Sequence, residues 1–295
     1  MYYPIDYDEP VFRPPSEANS VILQVTLGCS WNRCAFCEMY RSKKFSIKKP
    51  EQVKEEIIRV SREFPDVRKI FLADGNALVL PFDQLSDILD WIRRYFPRVR
   101  RVSAYALPGD LLRKSPEALK KLKEKGLSLV YVGIETGDEE LLRLINKNET
   151  FATTAEGLLK AQDAGIKSSV MILNGLGGER YSRQHSMQSA RLVNLVQPAF
   201  LSTLVLSFPY GEEHYRTRFR GEFNPLDTDG LLQELYDFID STELENTVFR
   251  SDHASNYLPL KGMLGRDKQR LLKLIHTAIH HPEAVRLRPE WLRGL

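Results

Sequence analysis

The sequence predicts an α/β protein: a partial TIM-like (β/α)6 barrel with a C-terminal helical cap. Three features lead to it. Six short runs rich in β-branched residues recur at a steady spacing, longer stretches of helical periodicity separate them, and the alternation stops after Leu206. Strand-helix units in such a row imply parallel strands joined by right-handed crossovers. A curved sheet or partial barrel is their natural closure, since a complete barrel takes about eight units.

In chain order, the expected strands are residues 21–26, 69–73, 101–106, 128–134, 167–173 and 200–206. Between the first two, residues 51–64 set Val53, Ile57, Ile58 and Phe64 on a helical stripe. Residues 82–96, 116–125, 153–164 and 182–195 have the same character. Gly126 and Gly165 follow two of these helices where a C-terminal cap is expected. Residues 207–230 are rich in Gly, Pro, Tyr and charge, without clear periodicity. A helix near 231–241 follows, then a basic amphipathic one near 266–280 with Leu271, Leu272, Ile275, Ala278 and Ile279 on one face. The expected organisation is an N-terminal extension at 1–19, a barrel core at 20–215, and a cap at 216–295 packed on the core.

Composition narrows the function. A chain of 295 residues can bury a full core, and 42% hydrophobic with 27% charged residues is ordinary globular material. A net charge of +3 is too weak to indicate nucleic acid. The N-terminal MYYPIDYDEP lacks the basic and apolar regions of a signal peptide, and no apolar run approaches a bilayer-spanning length. The expectation is a cytoplasmic enzyme with neither a membrane nor a nucleic-acid partner.

All three cysteines fall within nine consecutive residues, Cys29-Ser-Trp-Asn-Arg-Cys34-Ala-Phe-Cys37. An odd number so tightly clustered argues against disulfides and for metal or catalysis in a reducing compartment. Cys29 comes three residues after the first expected strand, and parallel α/β folds do their chemistry at the carboxyl ends of strands. A cubane iron-sulfur cluster normally takes four thiolates. With three, one iron keeps an open position, the property that separates catalytic metal sites from structural ones. Two other readings stand beside this one. A structural zinc site would need a fourth ligand, and His185, His214, His253, His276, His280 and His281 are all distant in sequence. Cysteines bunched by chance would be unusual for a residue that is ordinarily a scattered buried hydrophobe.

The segment TLGCSWNRCAFCEMY, residues 26–40, resembles the cluster-binding loop of the radical S-adenosylmethionine (radical SAM) superfamily. The usual pattern is Cys-x3-Cys-x-aromatic-Cys; here Phe36 is the aromatic and one extra residue separates Cys29 from Cys34. Later segments resemble the family's strand-end motifs: FLADGNAL at 71–78, YVGIETGDEELL at 131–142, LNGLGGE at 173–179 and SFPYGE at 207–212. Their order at strand ends makes the set more specific than any member. The chain is most similar to the cobalamin-associated and porphyrin-oxidase-like branch, without a cobalamin-binding domain.

The resemblance implies a 4Fe-4S cluster on Cys29, Cys34 and Cys37, with S-adenosylmethionine chelating the remaining iron. Backbone carbonyls at Asp74, Gly75 and Asn76 would accept from the cofactor's amino group, with Asn76 replacing the family's Glu. Glu135 would accept from ribose hydroxyls or the amino group. Phe36 would pack on the cluster or adenine, and Gly175, Gly177 and Gly178 would either admit the adenine or make a tight turn. The implied chemistry is reductive cleavage of S-adenosylmethionine to methionine and a 5'-deoxyadenosyl radical, which abstracts hydrogen from a small-molecule substrate. A one-electron reductant such as flavodoxin or ferredoxin would be a partner. The absence of further cysteines argues against auxiliary clusters and against methyl transfer through a cysteine outside the loop.

Two alternatives belong to other classes: a non-catalytic protein that binds the cluster, the cofactor or a porphyrin, and an iron-sulfur electron carrier. For substrate contacts the sequence offers His253, Asn256 and Tyr257, in a segment at 250–261 dense in polar donors. Arg93, Arg94, Arg98, Arg100 and Arg101 form a basic run that reads either as a solvated face or as an attraction for an anionic partner.

Overall fold

The strands form where the sequence places them because apolar surface covers both of their faces. A computed structural model describes residues 4–294; residues 1–3 of the expected extension and residue 295 of the expected cap lie outside the described residues. The chain separates into two units. The first holds the chain up to Asn32, Cys37–Val132 and Glu156–Ser168; the second holds Arg33–Phe36, Gly133–Ala155 and the chain from Ser169 onward.

The first unit contains β1 (Val21–Gln24), β2 (Thr26–Leu27), β3 (Ser46–Ile47), α1 (Pro50–Glu63), β4 (Lys69–Ala73), α2 (Phe82–Tyr95), β5 (Arg101–Tyr105), α3 (Pro108–Leu112) and α4 (Pro116–Glu124), and most of β6 (Leu127–Glu135). Strands β1, β4, β5 and β6 are parallel neighbours in that order, with Val21 opposite Ile70, Ile70 opposite Val102, and Ala104 opposite Val130. Helix α1 packs on β1 and α2, and α2 on α4; they bury Ile57 and Val60, Ile88 and Ile92, Leu119 and Leu122. Ile22, Phe71, Ala73, Leu129 and Tyr131 form a separate apolar cluster, joined by Tyr105 and by Tyr7 and Val11 of the N-terminal segment. Strands covered on both faces carry near-continuous apolar runs, which is the pattern that made them legible.

The N-terminal segment is fixed to this unit by a buried carboxylate. Glu17 Oε1 accepts from Arg101 Nη2 at 2.7 Å, Ser103 Oγ at 2.9 Å and Tyr131 OH at 2.6 Å. Arg101 therefore leaves the basic run to neutralise a buried charge, which would be costly to bury alone.

Besides Arg33–Phe36, the second unit holds Gly133–Glu135 of β6 and α5 (Glu139–Leu144); α6 (Phe151–Asp163) and β7 (Lys167–Asn174) have residues in both units. Then come α7 (Gly178–Val196), β8 (Phe200–Val205), α8 (Glu212–Arg218), α9 (Thr228–Asp240), β9 (Thr247–Ser251), β10 (Leu260–Leu264) and α10 (Lys268–His280). Strands β7, β8 and β9 are parallel, whereas β10 returns antiparallel along β9 with Leu260 opposite Ser251. Helix α9 packs on both α7 and α10. The fold is thus α/β with mostly parallel strands, and its C-terminal part carries two strands besides the expected helices. Strand β9 escapes sequence detection because Thr247 and Ser251 occupy two of its three buried positions, so its alternation is not apolar. Among the described residues no helix is long and apolar enough to cross a membrane.

Candidate functional site

The cysteine loop is closed by a ribbon that the sequence did not announce. Strand β2 pairs antiparallel with β3, Thr26 opposite Ile47, so residues 28–45 leave and return at one point at the end of β1. All three cysteines are half-buried thiols; Cys29 and Cys37 belong to the first unit and Cys34 to the second. Among the described residues no three His, Cys, Asp or Glu side chains converge on a single metal-ion position.

Within the first unit, the start of the loop is bound to the turn after β4. The Gly75 N–H donates to Gly28 O at 3.1 Å, and Asp74 Oδ2 accepts from Lys43 Nζ at 2.9 Å and the Gly28 N–H at 3.1 Å. Asn76 closes a second clamp: its Oδ1 accepts from the Ser30 N–H at 3.0 Å, while its Nδ2 donates to Ser30 Oγ and Asp110 Oδ2, each at 2.8 Å. Asp74 and Asn76 are fully buried. Burial raises the Asp74 carboxyl pKa, and the Lys43 and Gly28 hydrogen bonds oppose that shift. Asp74 Oδ1 remains buried without a partner.

Gly75 leaves room for the close approach of the loop. A Cβ there would sit 2.6 Å from both Cα and Cβ of Cys29 and 2.9 Å from Gly28 O. Because backbone must yield, Gly75→Ala should cost about 1–3 kcal/mol in chemical denaturation and lower cluster loading in reconstitution. Wild-type stability and loading in this variant would contradict the clamp.

Within the second unit, the middle of the loop is held by residues after α5. The Ala35 N–H donates to Ile145 O at 2.8 Å and Asn146 Nδ2 to Arg33 O at 3.0 Å. Arg218 on α8 donates to Cys34 O. The Lys147 ammonium lies 3.5 Å from Glu135 Oε1 and 5.9 Å from the Phe36 ring centroid, with both charged side chains 6% exposed. Glu135 ends β6 at φ 63, left-handed backbone that an ordinary side chain rarely adopts. Its side chain folds back over Gly133, where any Cβ would strike the carboxylate. Burial raises the Glu135 pKa, and Lys147 draws it back down. Strained backbone and a buried ion pair at a strand end mark a functional candidate.

The glycines after β7 differ in role. Gly175 has φ +79, and its N–H donates to Glu234 Oε1 at 2.6 Å. Gly177 has ordinary backbone; a Cβ on it would lie 2.5 Å from Tyr181 Cβ and 3.2 Å from Leu141 Cδ2, so the position has no room for a side chain. Gly178 is also left-handed, at φ +60.

The proposed substrate contacts are engaged by the C-terminal tail and β8. Asn256 accepts from the Val205 N–H at 3.0 Å and donates to Thr203 O at 2.8 Å. Tyr257 donates to Glu290 Oε2 at 2.7 Å, under an Arg293 guanidinium 3.8 Å from its ring centroid. Arg288 Nη1 donates to the carbonyls of His253, Ala254 and Asn256, and His253 Nδ1 lies 3.0 Å from Ser255 Oγ. These contacts tie the segment to β8 and to the residues at 288–293.

Sequence reasoning missed Ser30, Lys43, Asp110, Lys147 and Arg218. Asp110 carried the one available signal: it follows Pro108 at a helix start, and its Oδ2 accepts from the Leu107 N–H at 3.0 Å. Lys43 sits in the basic run RSKK, which looks like solvated surface.

Comparison with known proteins gives the chain a family. The family model for the radical SAM superfamily matches residues 23–190. The chain is 29% identical over 131 residues to the heme chaperone HemW of Bacillus subtilis, covering 43% of this chain and 34% of that protein. It is 23% identical over 179 residues to the hopanoid C-3 methylase of Methylococcus capsulatus, covering 59% of this chain and 33% of that one. The chain thus spans about a third of the length of these curated relatives. In fold it is similar to the Escherichia coli coproporphyrinogen III oxidase HemN, with TM-score 0.59 and 17% identity over 75% of this chain and 52% of that chain. It is likewise similar to the radical S-adenosylmethionine methyltransferase TsrM of Kitasatospora setae, with TM-score 0.52 and 18% identity over 63% of this chain and 36% of that chain. With more than half its length matched by the family model and a thiol loop seated at the end of β1, the chain belongs to the radical SAM superfamily.

Proposed function

We propose that this chain is a radical SAM enzyme acting on a small-molecule substrate, with a 4Fe-4S cluster on Cys29, Cys34 and Cys37 and S-adenosylmethionine on the iron they leave open. The observation that supports this most is the anchoring of the thiol loop. Buried side chains hold its start through Asp74 and Asn76, and partly exposed ones hold its middle through Asn146 and Arg218. Three half-buried thiols on a loop so fixed fit a cluster short of one protein ligand. When bound, the cluster and S-adenosylmethionine supply a 5'-deoxyadenosyl radical, using one electron from a reductant such as flavodoxin or ferredoxin.

The protein's part is to bind, orient and shield. Because Asp74 and Asn76 spend their side chains on the loop, the turn offers a ligand its backbone. Glu135 presents a carboxylate to ribose hydroxyls or an amino group, and Lys147 favours its ionised form. Phe36 lies beside this pair as an apolar wall.

A second reading, a non-catalytic heme-binding protein, is supported by the similarity to HemW. One experiment separates them: anaerobic reconstitution with iron and sulfide, reduction by dithionite with S-adenosylmethionine, and chromatography for 5'-deoxyadenosine. The enzyme reading predicts its accumulation. A loaded cluster that yields none would favour the binding protein.

A further inference from the structure

Helix α9 contributes to the turn after β7 in two places. A Cβ on Gly175 would lie 2.8 Å from Leu231 Cδ2, and one turn further along α9 the Glu234 carboxylate accepts the Gly175 N–H. Glu234 is 2% exposed and its second oxygen is buried without a hydrogen-bond partner. A carboxylate in such a place is expensive, since a buried charge needs pairing. Its neighbours supply little of that. His185 on α7 stands 3.8 Å from Oε1, but burial pushes its pKa down to about 4, so it is neutral at physiological pH. His185 Nδ1 is instead 2.8 Å from Thr136 Oγ1. The Ser182 hydroxyl on α7 draws the carboxyl pKa down, and Asp237 on α9 adds a like charge. The Gly175 amide, at 2.6 Å, is the close hydrogen-bond donor that this buried acid holds.

We infer that Glu234 is a positioning residue: its carboxylate holds the Gly175 turn in the shape that receives S-adenosylmethionine, so that cofactor affinity depends on a side chain from the C-terminal helices. This rests on the radical SAM reading. It explains why the Gly175 N–H, in a left-handed turn at φ +79, is held by a side-chain carboxyl group rather than by another backbone group. Burial and Asp237 push the Glu234 carboxyl up to about 7, against the Gly175 amide and the Ser182 hydroxyl. The ionised form makes the stronger hydrogen bond. Cofactor binding should therefore tighten as pH rises from 6 to 8.

The test compares Glu234→Ala and Glu234→Gln with wild type, each as the reconstituted full chain. Two readouts are used: hydrogen exchange of peptides covering residues 172–180, and the S-adenosylmethionine KM and kcat for 5'-deoxyadenosine formation. Glu234→Ala should exchange faster in that segment and raise KM about tenfold or more at pH 8, with kcat little changed. Glu234→Gln keeps an acceptor oxygen but cannot ionise, so it should retain protection and lose the pH dependence of KM. Wild-type exchange in Glu234→Ala, or a pH step surviving in Glu234→Gln, would overturn the assignment. A wild-type protein that forms no 5'-deoxyadenosine would instead count against the radical SAM reading, while the exchange comparison would still decide whether Glu234 holds the turn.

Discussion

Cys34→Ala protein, reconstituted anaerobically, should fold but hold no stable cluster, with iron and sulfide near background and no 5'-deoxyadenosine formed. The backbone supports the folding half of this expectation. Arg218 binds Cys34 through its carbonyl, and Ala35 and Arg33 are fixed through backbone atoms to Ile145 and Asn146. Removing one half-buried thiol leaves all of these bonds in place. The loading half follows from the count: the chain has three cysteines, and a cluster that ordinarily takes four thiolates would keep two. Circular dichroism and metal analysis check the two halves separately. Full iron and sulfide in this variant would mean that Cys34 is not a ligand.

Lys147→Met should destabilise the protein by about 3–5 kcal/mol near pH 8, because it strands the buried Glu135 carboxylate without its partner. The pH dependence gives the prediction its sign. Burial already holds the Glu135 pKa above its ordinary value, and Lys147 is the largest influence opposing that. Without Lys147 the folded-state pKa climbs further while the unfolded one does not. A carboxyl group raised in the folded state binds more protons there than when unfolded, so stability falls as pH rises between the two pKa values. The loss should therefore be greatest at pH 8 and smaller at pH 5, since falling pH favours the neutral, protonated form of Glu135. Adding Glu135→Gln to Lys147→Met should recover most of the difference, since no buried charge remains. Urea unfolding at both pH values measures this, and an equal loss at both would contradict it.

Legibility in the sequence followed physical range. Strands such as 21–24 and 69–73 announced themselves because buried strands are apolar on both faces. The cysteine cluster was legible because its three members are near neighbours. Asp74, Gly75 and Asn76 were located as a turn, yet their clamp on Gly28 and Ser30 spans 46 residues and leaves no local pattern. Lys147 and Arg218 are hidden for the same reason, each being one basic residue among the 42 of the chain. The segment around His253 and Tyr257 was correctly seen as dense in polar groups. Their partners, Arg288, Glu290 and Arg293, lie more than thirty residues later, and only folding joins them.

The most direct measurement of the central claim is the electron paramagnetic resonance spectrum of the reconstituted, dithionite-reduced protein, recorded with and without S-adenosylmethionine. Three thiolates and an open iron predict a reduced 4Fe-4S signal that changes shape when the cofactor is added. A reduced cluster whose spectrum is indifferent to S-adenosylmethionine would contradict the account, because its irons would then all be closed to the cofactor.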